Sequence, residues 1–381
     1  MPGVKVMLAP DSFKGSLTAE AAAGAMAAGM VRLGFGVEVD RCPIADGGEG
    51  FVAAMAAATT GRLKTTRVAG PLGDEVEAAW LMLADGTAVI ETAAASGLTL
   101  VAEGERDALR ASTFGTGQLV AAALDAGCRA VLLGLGGSAT TDGGAGMAQA
   151  LGFRFLDGDG RELVEAIGGG MLSGVADLDP GKAHRRLRDV AVTAACDVTN
   201  PLIGPEGAAA VYGPQKGATP GNVTTLDGGL RRLAVLWRLR LGVDVERTPG
   251  AGAAGGLGGG AVAFLGAALR PGIEIVLDAV GFEGRVAGCD LCLTGEGRLD
   301  GQSRSGKAVT GVARAAQRHG VPTVALVGSV ADDAAGALGD VLAGVRVIGE
   351  GLTAPESMAR AAALLADHAE AAVRERLSEG R

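Results

Sequence analysis

The stretch from Gly295 to Val312 contains residues suited to phosphate binding. It reads GEGRLDGQSRSGKAVTGV, and residues 301–307 supply the first seven positions of a P-loop, G-x-x-x-x-G-K. A P-loop follows its strand at once and ends with a Ser or Thr that binds Mg²⁺, whereas here an acidic segment intervenes and Ala308 stands at that position. The segment is therefore not a Walker motif. Gly306 and Lys307 can still contact a phosphate, because they would open a helix whose first N–H groups are free.

Charged residues and glycines follow three apolar, strand-like runs at the two ends of the chain. Asp11 and Lys14 follow the first run, Asp46 follows the second, and Glu296 and Arg298 follow the third. In an open parallel sheet, ligands bind beyond the carboxyl ends of the strands. Turn chemistry explains the glycines but not the repeated charged residues between them. We therefore predict that these loops form a binding site.

A glycine-rich run from Gly134 to Gly146 is a second candidate site. Its sequence GLGGSATTDGGAG lies between a predicted strand and a predicted helix, where exposed N–H groups can bind an anion. The pattern G-x-G-x-x-A that begins the run also satisfies a dinucleotide fingerprint. The hydroxyls of Ser138 and Thr140 and the carboxylate of Asp142 are unusual for a nicotinamide site. They are better suited to phosphate together with Mg²⁺.

The use of lysine is a weaker indication of phosphate binding. The chain has only six lysines among its 34 basic residues, yet Lys14, Lys216 and Lys307 each stand beside a glycine in a polar loop. A compact ammonium suits a phosphate oxygen that is reached as a point charge. Lys182 also neighbours a glycine, in a loop without other signals, so the pattern alone decides little.

Strands and helices alternate at both ends of the chain, and these elements must position the candidate loops. We predict strands at 4–9, 37–44, 290–294, 321–327 and 345–348, and helices at 16–33, 50–60, 307–319 and 355–377. The alternation predicts an α/β fold with a parallel sheet, and five such strands fit the flavodoxin-like order 2-1-3-4-5. The middle of the chain has more glycine loops and shorter strands. We therefore expect a Rossmann/flavodoxin-like domain from residues 1–66 and 285–381, with a second α/β domain, 67–284, inserted in it.

The composition excludes several classes of function. The net charge is −9, aromatic residues make up 3% of the 381 residues, and no basic run occurs, so neither nucleic acid nor a membrane surface is an expected partner. The N-terminus shows no signal peptide, which predicts a cytoplasmic protein. An anionic substrate would have to be attracted by local cations and N–H groups, because the overall field repels it.

Taken together, the motifs resemble those of the bacterial glycerate kinase family of the type with an N-terminal APDSFKGSL motif, the glycerate 2-kinases. The matching segments run in consistent order from residue 9 to about residue 313. They are APDSFKGSLTA, PIADGGEG, GPLGDEV, ETAAASGL, STFGTGQL, LGLGGSATTDGGAGMAQALG, CDVTNPLIGPEGAAAVYGPQKGA, PGAGAAGGLGGG and TGEGRLDGQSRSGKAVTGVA. Thr141 departs from the pattern that the resemblance implies, in which Asn is expected at this position. A direct role for its side chain is therefore in doubt.

The resemblance implies ATP-dependent, Mg²⁺-requiring phosphorylation of D-glycerate. Members of this type are associated with transfer to the 2-hydroxyl, which gives 2-phosphoglycerate; transfer to the 3-hydroxyl is the alternative. The family fold combines a Rossmann-like domain made from both chain ends with an inserted α/β domain, which agrees with the strand pattern.

On this hypothesis the substrates lie in the cleft between the domains, and residue type and loop position suggest the roles. Lys14 and Arg298 are candidates for binding the glycerate carboxylate or the transferring phosphoryl group, and Asp11 or Asp142 could accept the hydroxyl proton. The remaining candidates are Gly136, Gly137, Ser138, Thr140, Gly306 and Lys307 for the phosphates of ATP, and Asp46, Asp197 and Glu296 for Mg²⁺.

Two other functions remain open from the residues alone. A nicotinamide-dependent oxidoreductase of hydroxy acids would use the glycine pattern at Gly134 and Gly136, and it would bind NAD without hydrolysing ATP. A two-lobed binding protein would show ligand affinity without turnover.

Overall fold

The computed structural model of the chain describes residues 4–34, 36–44, 50–299, 308–331 and 340–379. Its strands are β1 (Val4–Pro10), β2 (Val37–Arg41), β3 (Gly61–Ala69), β4 (Glu75–Leu83), β5 (Thr87–Glu91), β6 (Ala130–Gly134), β7 (Arg154–Leu156), β8 (Asp177–Asp179), β9 (Ala191–Ala195), β10 (Ala268–Arg270), β11 (Leu291–Leu299), β12 (Thr323–Val330) and β13 (Gly344–Val347).

Its α-helices are α1 (Ala19–Val31), α2 (Phe51–Ala58), α3 (Ala93–Ser96), α4 (Phe114–Asp125), α5 (Ala145–Ala150), α6 (Ala208–Tyr212), α7 (Pro220–Leu236), α8 (Ala253–Leu265), α9 (Gly272–Ala279), α10 (Phe282–Val286), α11 (Ala308–Arg318), α12 (Ala354–Ala359) and α13 (Ala361–Glu379). Short 3₁₀ turns cover Leu98–Leu100, Glu103–Glu105, Gly169–Gly174, Arg185–Arg188 and Pro214–Lys216, and a π-helical turn, Trp237–Leu241, continues α7.

The chain folds as two compact units. The first consists of Met1–Asp46, Ala53–Thr59 and Pro271–Arg381, and the second of Gly47–Val52 and Thr60–Arg270. The first unit is thus built from both chain ends. The sequence analysis placed the divisions after residues 66 and 284.

The first unit contains a five-stranded, fully parallel sheet with the order β13-β12-β11-β1-β2. This confirms the predicted fold class and the predicted order of the five strands. Helices α1 and α13 pack together over one face, where Val6, Leu8, Met26 and Leu365 share a buried cluster. The sequence analysis predicted this helix from residue 16. Helix α1 begins at Ala19, because the Thr18 side chain caps it by accepting a hydrogen bond from the N–H of Ala21.

Two elements of the first unit differ from the prediction. Strand β11 continues to Leu299, so that Glu296 and Arg298 lie on a strand paired with β12 and not in the loop after it. The predicted closing helix is two helices, α12 and α13, separated at Arg360. Gly or Pro usually signals such a break. Position 360 is an arginine, so the sequence contains no signal for the break there.

The second unit contains a six-stranded mixed sheet with the order β10-β9-β6-β5-β4-β3. Strands β5, β6, β9 and β10 are parallel, and β3 and β4 extend the sheet antiparallel. Its core includes both tryptophans of the chain, Trp80 and Trp237. In the part of the chain that the structure describes, no helix combines the length and the apolarity needed to cross a bilayer.

Candidate active site

Four of the predicted site residues line one cavity of the first unit. The cavity has a volume of about 770 Å³ and lies at the carboxyl edge of β1, β11, β12 and β13. Asp11 and Lys14 reach it from the loop after β1, and Glu296 and Arg298 reach it from β11. A volume of this size is typical of small-molecule sites. The cavity is therefore the candidate active site of this unit.

The loop after β1 is fixed at its base and open at its tip. The N–H of Asp11 donates to the carbonyl of Gly295 at 2.8 Å, and the N–H of Phe13 donates to the carbonyl of Leu17 at 2.8 Å. The ring of Phe13 is buried, whereas Lys14 is exposed. The buried ring thus anchors a tight loop that presents the ammonium of Lys14 at the cavity.

The end of β11 presents its two charged side chains on one face, because residues two apart on a strand point the same way. Glycines alternate with them, and their backbone passes close to its neighbours. A Cβ on Gly295 would lie 2.1 Å from the carbonyl oxygen of Leu326, and a Cβ on Gly297 would lie 3.3 Å from the backbone nitrogen of Lys14. The GEGR sequence is therefore a close-packed strand end that brings Glu296 and Arg298 up to the Lys14 loop.

The charges in the cavity are suited to an anion. Arg298 and Lys14 are both exposed, and neither forms an ion pair with a carboxylate among the described residues. The Glu296 side chain is 9% exposed, and one carboxylate oxygen of Asp11 accepts from the N–H of Ser12 at 2.6 Å. Unpaired cations at the edge of a sheet attract anionic ligands, whereas carboxylate oxygens are ligands that Mg²⁺ accepts.

The cavity also has a wall that the sequence analysis did not identify as part of a site. Leu352, Ala354 and Met358 line it from α12 and the segment before it. A Cβ on Gly15 would lie 2.7 Å from the terminal methyl of Met358, so this side chain lies directly against the Lys14 loop. An apolar wall opposite charged residues is the usual composition of a small-molecule site. The composition of α12 alone gives no sign of it.

In the second unit, the glycine-rich run follows β6 and pairs with the segment after β5. The N–H of Leu98 donates to the carbonyl of Gly137 at 2.8 Å, and the N–H of Ala139 donates to the carbonyl of Ser96 at 2.9 Å. Gly137 has φ 74°, a conformation that glycine adopts readily. We call residues 134–144 the glycine loop. It contains four of the predicted phosphate contacts, which are Gly136, Gly137, Ser138 and Thr140.

Asp142 anchors the end of the glycine loop. Its carboxylate is fully buried and accepts from the N–H and the hydroxyl of Thr113 at 2.8 and 2.7 Å. It also accepts from the N–H groups of Gly144 and Gly146 at 3.1 and 3.2 Å. Burial raises the pKa of Asp142, and these hydrogen bonds oppose that rise. The carboxylate thus joins the start of α4 to the start of α5.

Lys216 lies beneath the glycine loop, and the sequence analysis did not count it among the site residues. Its side chain is 2% exposed, and its ammonium donates to Ser138 Oγ at 2.9 Å and to the carbonyl of Thr140 at 2.6 Å. Burial lowers the pKa of Lys216 from 10.5 to about 7, against the attraction of Asp142. The one available signal was a lysine in the glycine turn GPQKG of a chain that otherwise favours arginine.

Helix α8 approaches the glycine loop more closely than side chains would allow. Gly255 has φ 70°, and a Cβ on it would lie 1.9 Å from the carbonyl oxygen of Thr140. A Cβ on Gly260 would lie 2.2 Å from the carbonyl oxygen of Gly143. The glycines of the PGAGAAGGLGGG segment therefore serve backbone packing against the loop.

The structure describes one of the four remaining predicted site residues, Asp197. Asp197 is half-buried in the segment after β9 of the second unit. Asp46, Gly306 and Lys307 lie outside the described residues. Across residues 4–34, 36–44, 50–299, 308–331 and 340–379, no group of three or more His, Cys, Asp or Glu side chains could enclose a metal ion. A metal that enters with a substrate needs fewer protein ligands, since Mg²⁺ keeps several waters and binds substrate phosphates.

Comparison with known proteins identifies the family of this chain. Residues 6–376 match the model of the glycerate kinase family. A glycerate kinase of Bacillus subtilis (strain 168) is 50% identical over 331 residues, which cover 87% of this chain and 86% of that protein. A glycerate 2-kinase of Escherichia coli (strain K12) is 46% identical over the same shares of the two chains.

A solved structure shows the same fold. It is described as a glycerate kinase 2 from Salmonella typhimurium LT2, and it is 43% identical in sequence. The superposition covers 99% of both chains with a TM-score of 0.87. The family match spans nearly the whole chain, and the two relatives are 50% and 46% identical to it. This chain belongs to the glycerate kinase family, and it is a phosphotransferase.

Proposed function

We propose that this chain transfers the γ-phosphoryl group of ATP to the 2-hydroxyl of D-glycerate, with Mg²⁺, and that the cavity of the first unit binds the reacting groups. The observation that carries the proposal is the convergence of Asp11, Lys14, Glu296 and Arg298 on one cavity at the carboxyl edge of a parallel sheet. The relatives named as glycerate kinases supply the substrate, and the relative named glycerate 2-kinase supports the 2-hydroxyl.

Lys14 and Arg298 bind the anionic groups. The planar fork of Arg298 can hold a carboxylate by two parallel hydrogen bonds, and the ammonium of Lys14 can follow a moving phosphoryl oxygen as a point charge. Because the chain carries a net charge of −9, these local cations have to provide the attraction. Phosphoryl transfer depends mainly on such positioning and charge neutralisation.

Asp11 is our candidate for the residue that accepts the hydroxyl proton. It is partly exposed and lines the cavity, whereas Asp142 is fully buried and accepts four hydrogen bonds from Thr113, Gly144 and Gly146. A general base has to come within hydrogen-bond reach of the proton that it takes. Asp142 therefore acts by fixing the glycine loop.

Carboxylates of the cavity fit a magnesium ion that arrives with the nucleotide, because hard oxygen ligands suit Mg²⁺. Glu296 would hold it in the first unit. Asp197 and Asp46 are the other carboxylates that the sequence analysis proposed for Mg²⁺. When bound, Mg²⁺ neutralises charge on the phosphate oxygens.

The first unit has room for part of a nucleotide, and the sequence analysis proposed further loops for its phosphates. The volume of about 770 Å³ exceeds the needs of a three-carbon acid, and the wall of Leu352 and Met358 suits the apolar faces of a base. The glycine loop, through Gly136, Gly137, Ser138 and Thr140, and the Gly306–Lys307 pair are the proposed phosphate contacts.

Release of ADP, measured with and without D-glycerate, tests the proposal. The wild type should release ADP in a glycerate-dependent manner, and Lys14→Ala and Asp197→Ala should each lose about 100-fold or more in kcat/KM, the scale of an electrostatic contact to a transferring group. Lys182→Ala is the matched control, because Lys182 is exposed and also neighbours a glycine. If both site variants keep wild-type turnover, the site is misplaced.

The position of transfer needs a measurement of its own. Phosphorus and carbon NMR of the product distinguishes 2-phosphoglycerate from 3-phosphoglycerate. We expect 2-phosphoglycerate; a product phosphorylated at the 3-hydroxyl would contradict the proposed regiochemistry and leave the kinase assignment intact.

A further inference from the structure

The glycine loop is held by a buried cation, the ammonium of Lys216. The Lys216 ammonium reaches Ser138 Oγ at 2.9 Å and the Thr140 carbonyl at 2.6 Å, and so it ties a side chain and a backbone carbonyl of the loop together. It extends from the 3₁₀ turn Pro214–Lys216, where Gly217 follows with φ 90°. With 2% exposure, Lys216 is not accessible to a ligand. Its effect on a ligand must pass through the loop.

Opposite charges fix the two parts of the loop. Lys216 holds the part that contains Ser138 and Thr140, and Asp142 holds the end by hydrogen bonds to Thr113 and Gly144. A buried charge without such hydrogen bonds is costly, so both groups impose a defined loop conformation.

The conformation that they impose leaves polar groups of the loop unsatisfied. Within the described part of the chain, the hydroxyl oxygens of Thr140 and Thr141 are buried and have no hydrogen-bond partner. Buried polar atoms without partners are rare and costly. The protein contacts of this loop conformation therefore do not satisfy these two hydroxyls.

We propose that Lys216 is a positioning residue of the nucleotide site, which fixes the glycine loop through Ser138 and Thr140 and lends it the positive charge that a phosphate group requires. The inference rests on the proposed function, in which this loop contacts phosphate. In this inference, Lys216 does not contact the ligand, but it determines how tightly the loop binds phosphate.

The charge state of Lys216 supplies a readout that a purely structural role would not give. Its pKa is lowered to about 7 by burial, so the ammonium and the neutral amine coexist near neutral pH. Three charged or titratable groups lie on the described segments next to Lys216. They are Asp142 on the glycine loop, Tyr212 on α6, and Arg106, whose guanidinium donates to the Gln215 carbonyl at 3.2 Å. A phosphate on the loop favours the ammonium, and binding should therefore take up protons from the buffer.

Titration calorimetry of the full chain with MgATP, in two buffers of different ionisation enthalpy, measures this uptake. At about half a pH unit above the pKa of Lys216, the wild type should take up about half a proton more than Lys216→Met. Lys216→Met should also bind MgATP at least tenfold more weakly, and that deficit should shrink as the pH rises and the wild type loses its charge. Lys182→Met, on an exposed loop, should match the wild type in both respects.

The other outcomes separate this inference from the proposed function. Wild-type affinity and unchanged proton uptake in Lys216→Met would overturn the role of Lys216 and leave the kinase activity standing. A wild type without glycerate-dependent ADP release would instead overturn the proposed function.

Should Lys216→Met fail to fold, Ser138→Ala decides, because it keeps the ammonium and removes one of its two acceptors. It should weaken MgATP binding severalfold and keep the proton uptake; unchanged affinity would contradict the proposal.

Discussion

Replacing Lys216 by Met should change how the stability of the second unit depends on pH. Burial lowers the pKa of this lysine from 10.5 to about 7. Between these two values the unfolded chain binds the proton and the folded chain does not, so the contribution of Lys216 to the free energy of unfolding rises with pH. This contribution to stability is lost again as the pH falls towards 7. Each pKa unit corresponds to about 1.4 kcal/mol, so the full change is on the order of 5 kcal/mol.

Methionine keeps the length of the side chain and removes the charge, so Lys216→Met should lack this pH dependence. The stability of the wild type relative to the variant should increase by roughly 2–3 kcal/mol between about pH 7 and pH 9, since every other titrating group is common to both. Urea unfolding followed by tryptophan fluorescence measures this increase. Both tryptophans, Trp80 and Trp237, lie in the second unit, and the signal therefore reports on that unit alone.

A stability difference that stays constant over this range would refute the reasoning. It would mean that Lys216 does not titrate in this range. The burial of its ammonium against Ser138 and Thr140 would then not carry the desolvation free energy that the geometry indicates. Lys182→Met, on an exposed loop, is measured in the same way. Its comparison with the wild type controls for the loss of a positive charge as such.

Three further predictions follow from individual contacts. Asp142→Asn should destabilise the second unit by about 2–4 kcal/mol in urea unfolding, because buried N–H donors lose a charged acceptor; a change below about 0.5 kcal/mol would contradict the anchoring role. Gly255→Ala should cost about 3 kcal/mol or more, since a Cβ would lie 1.9 Å from the Thr140 carbonyl oxygen at a positive φ. Gly158→Ala, with no atom within 4 Å of the added Cβ, is its control and should stay near wild type. Arg298→Lys should lower kcat/KM for D-glycerate about tenfold through loss of the planar fork, whereas Arg314→Lys, away from the cavity lining, should not; equal kinetics of the two variants would remove Arg298 from the site.

The order of the first sheet could be predicted because local signals suffice for it. Apolar runs such as Val4–Pro10 are followed by helices with recognisable starts, and the alternation leaves few topologies. Of the charged residues after those runs, Asp11, Lys14, Glu296 and Arg298 do line one cavity at the edge of the sheet. The end of β11 was misassigned to a loop because glycine has a low strand propensity, whereas here Gly295 and Gly297 are required by the close approach of Leu326 and the Lys14 loop.

The interior of the glycine loop could not be predicted in the same way. Lys216 and Thr140 are 76 residues apart, and nothing near Lys216 in the sequence indicates that its ammonium is buried. The same holds for Asp142, whose type and position suggested a reactive carboxylate. Its role as an anchor depends on Thr113, 29 residues earlier. Burial and hydrogen bonding are tertiary properties, and a motif reports only that a charged residue is present.

A crystal structure of the chain with D-glycerate, Mg²⁺ and a non-hydrolysable ATP analogue tests the central claim most directly. The account predicts that D-glycerate lies in the cavity of the first unit, with its carboxylate or its reacting hydroxyl group in contact with Lys14, Arg298 or Asp11. A glycerate molecule bound elsewhere, in contact with none of these three residues, would contradict it.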